Sequence, residues 1–152
     1  MAESQNKKSA KKKKAKQKEP DITFFHPDLL EVPEDGSGPY LNGYKCQKCG
    51  QLDFPKLNLC TNCWGEEFDV VPLSTKGKLY SVSDLFIGPP GMKMPYAVGY
   101  IDLPEDIRIF AQLEGEVGSF KCDEEMELTT GQIRTNRDGL PVTSYKFKKI
   151  SS

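Results

Sequence analysis

Two CxxC pairs, Cys46–Cys49 and Cys60–Cys63, separated by ten residues, constrain this chain more than any other feature. Each pair can wrap two sulfurs onto one side of a tetrahedral ion at about 2.3 Å per Zn–S bond, so the two pairs can close a four-thiolate shell. Gly50, directly after Cys49, supplies the positive φ that such a knuckle needs. Lys45, Lys48 and Lys56 flank the pairs and offset part of the negative charge. A closed shell of thiolates leaves no coordination position for water or substrate, which makes the metal a structural Zn2+. A four-cysteine iron centre, a redox dithiol or disulfides are the competing uses of the same residues. The N-terminus lacks the apolar core of a secretory signal, so a cytoplasmic location is expected, where metal binding outweighs disulfide formation. The expected unit is a rubredoxin-like zinc ribbon over residues 40–72, too small to stand without its metal. Chelation is expected to unfold residues 40–70 and to leave the remainder largely intact.

Charge divides the chain. Residues 1–19 carry eight lysines and two glutamates, whereas the remainder carries 13 basic and 20 acidic residues. The first stretch has almost nothing apolar to bury and is expected to be a disordered tail. Residues 20–39 form a docking segment and linker. There, Ile22, Phe24, Phe25, Leu29 and Leu30 crowd apolar surface into ten residues, and Pro27-Asp28 reads as the start of a short helix. Such a piece is marginal alone and must dock on something. Residues 33–39, PEDGSGP, read as linker. No apolar run approaches the roughly 20 residues of a membrane helix.

From residue 73 to residue 152 the texture is that of short strands. Candidates are 77–87, 96–103, 107–115, 125–130 and 141–150, separated by turn-forming stretches such as PED at 104–106. In the third, Ile107, Ile109, Ala111 and Leu113 alternate with Arg108, Phe110 and Gln112. Five strands at this spacing with little helix signal predict a mainly β chain ending in a five-stranded OB-fold barrel.

Catalytic machinery is not legible. The single histidine, His26, sits in the apolar docking segment. Cys122 lies in FKCDEE, where acidic neighbours make a poor nucleophile. There is no GxSxG, P-loop, GxGxxG or HExxH motif. The sequence therefore reads as a chain that does not perform chemistry alone.

The order of motifs resembles one family. GYKCQKCGQLDFPKLNLCTNCW (43–64) is followed by LSTKGKLYSVSDLF (73–86), PPGMKMPYAVGYIDL (89–103) and RIFAQLEG (108–115). This is similar to the DUF35 family, zinc-ribbon/OB-fold proteins associated with acyl-CoA enzymes, over roughly residues 22–150. Two features depart from the pattern: Trp64-Gly65 stands where a glycine commonly follows the cysteine directly, and the lysine tail lies outside the family domain. The resemblance implies a non-catalytic accessory subunit bound to a thiolase-fold enzyme in a hetero-oligomer. Partners in the family include thiolases, an archaeal hydroxymethylglutaryl-CoA synthase system and steroid side-chain aldolases. One member of similar layout serves the thiolase step of anaerobic toluene breakdown. The barrel is implied to lie against the enzyme and help form its acyl-CoA site, with a CoA thioester as the shared ligand. On this chain that places the loop Pro89, Pro90, Gly91, Met92, Lys93, Met94 near acyl-CoA or the partner, and Phe24, Phe25, Leu29 and Leu30 at the partner contact.

The rival class is a nucleic-acid-binding ribbon/barrel protein, because both modules occur there and the tail could meet phosphates. The body opposes it: an excess of seven acidic residues outside the tail repels a phosphate backbone. Deleting residues 1–19 should therefore abolish any DNA or RNA affinity of the chain in a filter-binding assay. Retention of that affinity by the core would favour the rival.

Overall fold

A computed structural model describes residues 23–24 and 27–150, which form strands and turns. Two short strands, β1 (Thr23–Phe24) and β2 (Leu30–Glu31), flank a 3-10 turn at Pro27–Leu29. The ribbon follows as β3 (Tyr40–Cys46), β4 (Leu52–Asp53) and β5 (Phe68–Pro72). The barrel strands are β6 (Lys76–Leu85), β7 (Tyr96–Leu103), β8 (Ile107–Glu114), β9 (Glu125–Thr135) and β10 (Pro141–Lys149). The expected tail at 1–19, Phe25 and His26 lie outside the described residues.

The expected N-terminal helix is not formed among the described residues. Pro27 fixes φ for entry into a turn, but only one 3-10 turn follows. Leu30 and Glu31 then pair with Leu41 and Tyr40 of β3, which captures the backbone in an extended form. The turn is pinned from the ribbon: the Asp28 carbonyl accepts hydrogen bonds from the Tyr44 hydroxyl at 2.9 Å and the Asn42 amide at 3.2 Å.

The barrel closes in the order β10-β8-β7-β6-β9, with β9 pairing back to β10. The β8–β10 pairing is parallel and the others are antiparallel. β1 adds to β10 in parallel, opposite Val142 and Thr143. Period-2 alternation works as the sequence requires: Ile107, Ile109, Ala111 and Leu113 of β8 point inward and are buried. They meet Leu79, Ile101, Met126, Leu128 and Phe147 in one core.

Ribbon and barrel share that core. Leu30, Leu41 and Leu73 belong to the same cluster as Phe147, and Leu41 is fully buried. Phe54, after β4, meets the ring of Tyr145 on β10 edge to face, with centroids 5.8 Å apart. The ribbon is thus a packed neighbour of the barrel, and its unfolding would expose barrel-facing apolar surface. Replacing Phe147 by alanine should cost about 3–5 kcal/mol in urea-induced unfolding. Phe110→Ala, on the outer face, should stay within about 1 kcal/mol.

Candidate functional site

β3 delivers Cys46 at its last position, and the turn before β4 brings Cys49 back beside it. The segment between β4 and β5 contributes Cys60 and Cys63. The four Sγ atoms lie within 4.8 Å of one another, with Cys46–Cys63 and Cys49–Cys60 each at 3.5 Å. None of the four is in a disulfide. A tetrahedron built on ~2.3 Å Zn–S bonds has edges of about 3.8 Å, so the donor set and its spacing fit zinc. Bound there, the ion would tie β3 to the segment leading into β5 and would supply no open coordination position.

The two knuckles repeat one hydrogen-bond pattern. The Gly50 N–H donates to the Cys46 carbonyl at 2.9 Å, and the Trp64 N–H donates to the Cys60 carbonyl at 3.0 Å. The Cys46 and Cys60 N–H groups donate to the carbonyls of Gln51 and Gly65, each at 2.8 Å. Trp64 is therefore the counterpart of Gly50, and both hold positive φ, 78° at Gly50 and 62° at Trp64. A side chain in this left-handed region costs roughly 1–2 kcal/mol relative to glycine. Gly65, one position later, has its own reason: a Cβ there would stand 3.1 Å from the Cys46 sulfur.

Backbone N–H groups prepare the sulfurs for charge. The Gln51 N–H and the Asn62 side chain hold the Cys49 thiol down at about 6. The Cys49 and Lys48 N–H groups lower Cys46 against its burial. Cys63 receives the Gly65 N–H, which lowers it, yet burial and the other three sulfurs push it up to about 12. Four thiolates this close repel one another, so without a cation the cluster keeps protons, and zinc must displace them.

The other predicted residues are dispersed. Pro89, Pro90, Gly91, Met92, Lys93 and Met94 connect β6 to β7. Gly91, at φ 90°, is anchored by the Thr135 N–H donating to its carbonyl at 2.7 Å, and a Cβ would strike the Thr135 carbonyl oxygen at 2.4 Å. The Tyr96 hydroxyl reaches the Met92 sulfur at 3.6 Å, while Lys93 is exposed. Leu29 and Leu30 are buried within the chain, so these two are not presented at the surface. The side chain of Phe24 and all of Phe25 lie outside the described residues.

Exposed apolar groups lie elsewhere. Tyr100 and Phe110, directly opposed on β7 and β8, pack with their rings tilted at 59° and centroids 5.2 Å apart on the outer barrel face. Arg108, paired with Asp102 at 2.6 and 3.0 Å, covers Tyr80 at 3.4 Å from the ring centroid. Phe86 and Ile87 at the end of β6 are more exposed still. Strand alternation puts Phe110 outward in the sequence, but the aromatic pair needs the register of β7 against β8. No helix among the described residues is long and apolar enough to cross a membrane.

Comparisons with known proteins converge. The family described as ChsH2, rubredoxin-like zinc ribbon domain, matches residues 39–69, and that described as ChsH2, C-terminal OB-fold domain, matches residues 70–131. Benzoylsuccinyl-CoA thiolase subunit BbsA of Thauera aromatica is 70% identical over 140 residues, covering 92% of this chain and 97% of that one. The BbsA of Geobacter metallireducens is 65% identical, covering 95% and 99%. A DUF35 domain-containing scaffold protein of Methanocaldococcus jannaschii is 31% identical, covering 74% and 83%. Among solved structures, the Ltp2-ChsH2(DUF35) aldolase shares the fold at a TM-score of 0.58 and 23% identity, covering 72% of this chain and 84% of that one.

Cys60→Ser, at a buried ligand, should reduce zinc measured by mass spectrometry from one equivalent to near none. Because zinc displaces thiol protons, affinity should rise with pH. Zinc should therefore be lost on acidification, as the thiolates take up protons in its place, which a pH titration read by metal content would show.

Proposed function

Since the chain belongs to the DUF35 zinc-ribbon/OB-fold family, with the ribbon and barrel modules of ChsH2, we propose that it is a non-catalytic accessory subunit of an acyl-CoA thiolase. The observation that carries this reading is the 70% identity to a benzoylsuccinyl-CoA thiolase subunit over 97% of its length. Thiolysis of benzoylsuccinyl-CoA is the candidate reaction, performed by a thiolase-fold partner. The closed cysteine shell fits a supporting role, since it offers substrate no coordination position.

The reading assigns the loop Pro89–Met94 to the shared acyl-CoA site. Two prolines and the anchored Gly91 restrain its backbone, and exposed Lys93 offers a cation to a CoA phosphate. Of the proposed docking residues, Phe24 and Phe25 remain assigned to the partner, whereas Leu29 and Leu30 are buried within the chain. The site of action is the cytoplasm, where free thiols stay reduced and available to zinc.

The aromatic outer face favours a protein over a nucleic acid. Tyr100 and Phe110 could stack bases, but Arg108, the one cation on β7 and β8, is bound by Asp102. On the flanking strands Lys78 stands opposite Asp102 and Lys148 opposite Glu114, so a phosphate backbone would meet carboxylates among the cations, whereas a mixed aromatic and charged surface suits a protein interface.

The test is reconstitution with the catalytic subunit of Thauera aromatica benzoylsuccinyl-CoA thiolase. The two chains should co-elute on size exclusion, and thiolysis of benzoylsuccinyl-CoA should require both. Separate elution with full activity in the catalytic subunit alone would refute the reading.

A further inference from the structure

The second zinc knuckle carries a side chain that the knuckle itself does not want. Its counterpart in the first knuckle is Gly50, and both positions need the left-handed backbone that glycine adopts freely. Here the position holds Trp64, the one tryptophan of the chain. Its side chain does nothing for the fold: the residue is 76% exposed, and its indole has no hydrogen-bond or ring partner among the described residues. Leu59, just before Cys60, is also exposed on the same knuckle. Backbone strain retained for a large aromatic group that packs against nothing belongs to function rather than to stability.

We propose that Trp64 is an anchor residue of the interface with the thiolase subunit, inserted into an apolar recess on that partner. The inference rests on the accessory-subunit reading above and sharpens it to one contact. Large aromatic side chains on rigid supports dominate the energetics of protein interfaces, because little entropy is lost when they are buried. The support here is rigid by construction. The Trp64 N–H is hydrogen-bonded to the Cys60 carbonyl, and the neighbouring Cys63 belongs to the sulfur cluster. Residues 59–67 contain no lysine or arginine, and Glu66 and Glu67 follow the tryptophan in exposed positions, with Lys48 of the first knuckle the cation beside Gly65. The complementary recess is therefore apolar at its floor and basic at its rim. That chemistry fits a protein cleft.

The experiment uses the full-length zinc-loaded chain and the Thauera aromatica catalytic subunit as the probe. Trp64→Gly removes the ring and relieves the backbone, so the effects on folding and on binding should have opposite signs. The free variant should keep its zinc and melt at the same temperature as the parent or higher, while its Kd for the partner rises at least tenfold in isothermal titration calorimetry. In parallel, 5-fluorotryptophan labelling gives a single 19F resonance, which should shift when the unlabelled partner is added and stay unmoved by CoA alone. Undiminished binding by the variant overturns the proposal. So does a lower melting temperature or lost zinc, which would make the ring part of the knuckle, and so does a resonance that moves with CoA alone. If the parent chain itself forms no complex, the accessory-subunit reading falls, and the Trp64 contact with it. A parent complex that the variant reproduces refutes the contact only.

Discussion

One strand, β3, meets two demands within seven residues, and the rest of the molecule is arranged around it. Its second residue, Leu41, is fully buried in the core shared with the barrel, and its last, Cys46, belongs to the four-sulfur cluster that fits zinc. Every other strand of its sheet, β2, β4 and β5, pairs with it. Its Asn42 and Tyr44 side chains also hold the incoming turn at Asp28. The metal cluster and the apolar core are thus two ends of one structural element. Zinc fixes the free end of β3, and Leu41 anchors the other, so neither module is positioned without the other.

Much of this architecture is legible in the sequence because its signals are local. Barrel strands announce themselves by alternation, as in Ile107–Glu114, and the observed strands start within a residue of the expected ones. β9 runs on to Thr135 because β10 offers it a long antiparallel partner, a non-local fact that propensity does not carry. The N-terminal segment fails for the same reason. Pro27-Asp28 does start a turn, but pairing of Leu30 with Leu41 overrides helical continuation, and Leu30 goes into the chain's own core.

The metal site is readable because cysteine spacing directly encodes ligand geometry. Trp64 is only half readable. A broken CxxC-Gly pattern marks the position as unusual, yet whether the chain leaves its knuckle conformation or strains to keep it depends on hydrogen bonds visible only in the fold. The answer is that Trp64 keeps the conformation of Gly50 at φ 62°. Likewise, Tyr100 and Phe110 are separate aromatic residues in the sequence and one exposed pair in the barrel.

The barrel's sheet closes without any ribbon strand, so the zinc site has a use beyond completing that sheet. Its value lies in preorganisation. Binding loses affinity whenever flexible groups must be ordered at the interface, at about 0.5–1.5 kcal/mol for each rotamer-rich side chain. A knuckle held by four sulfurs and paired backbone bonds has that ordering in place before any partner arrives. The same logic explains why the strain at Trp64 can persist. The cluster residues just before it, Cys60 and Cys63, and the backbone bonds that Cys60 makes to Trp64 and Gly65 over-determine the local backbone, so the chain can hold a tryptophan where glycine would be more stable. The metal thereby converts a strained conformation into a fixed presentation of apolar surface, and the chemistry of the assembly can reside in another chain.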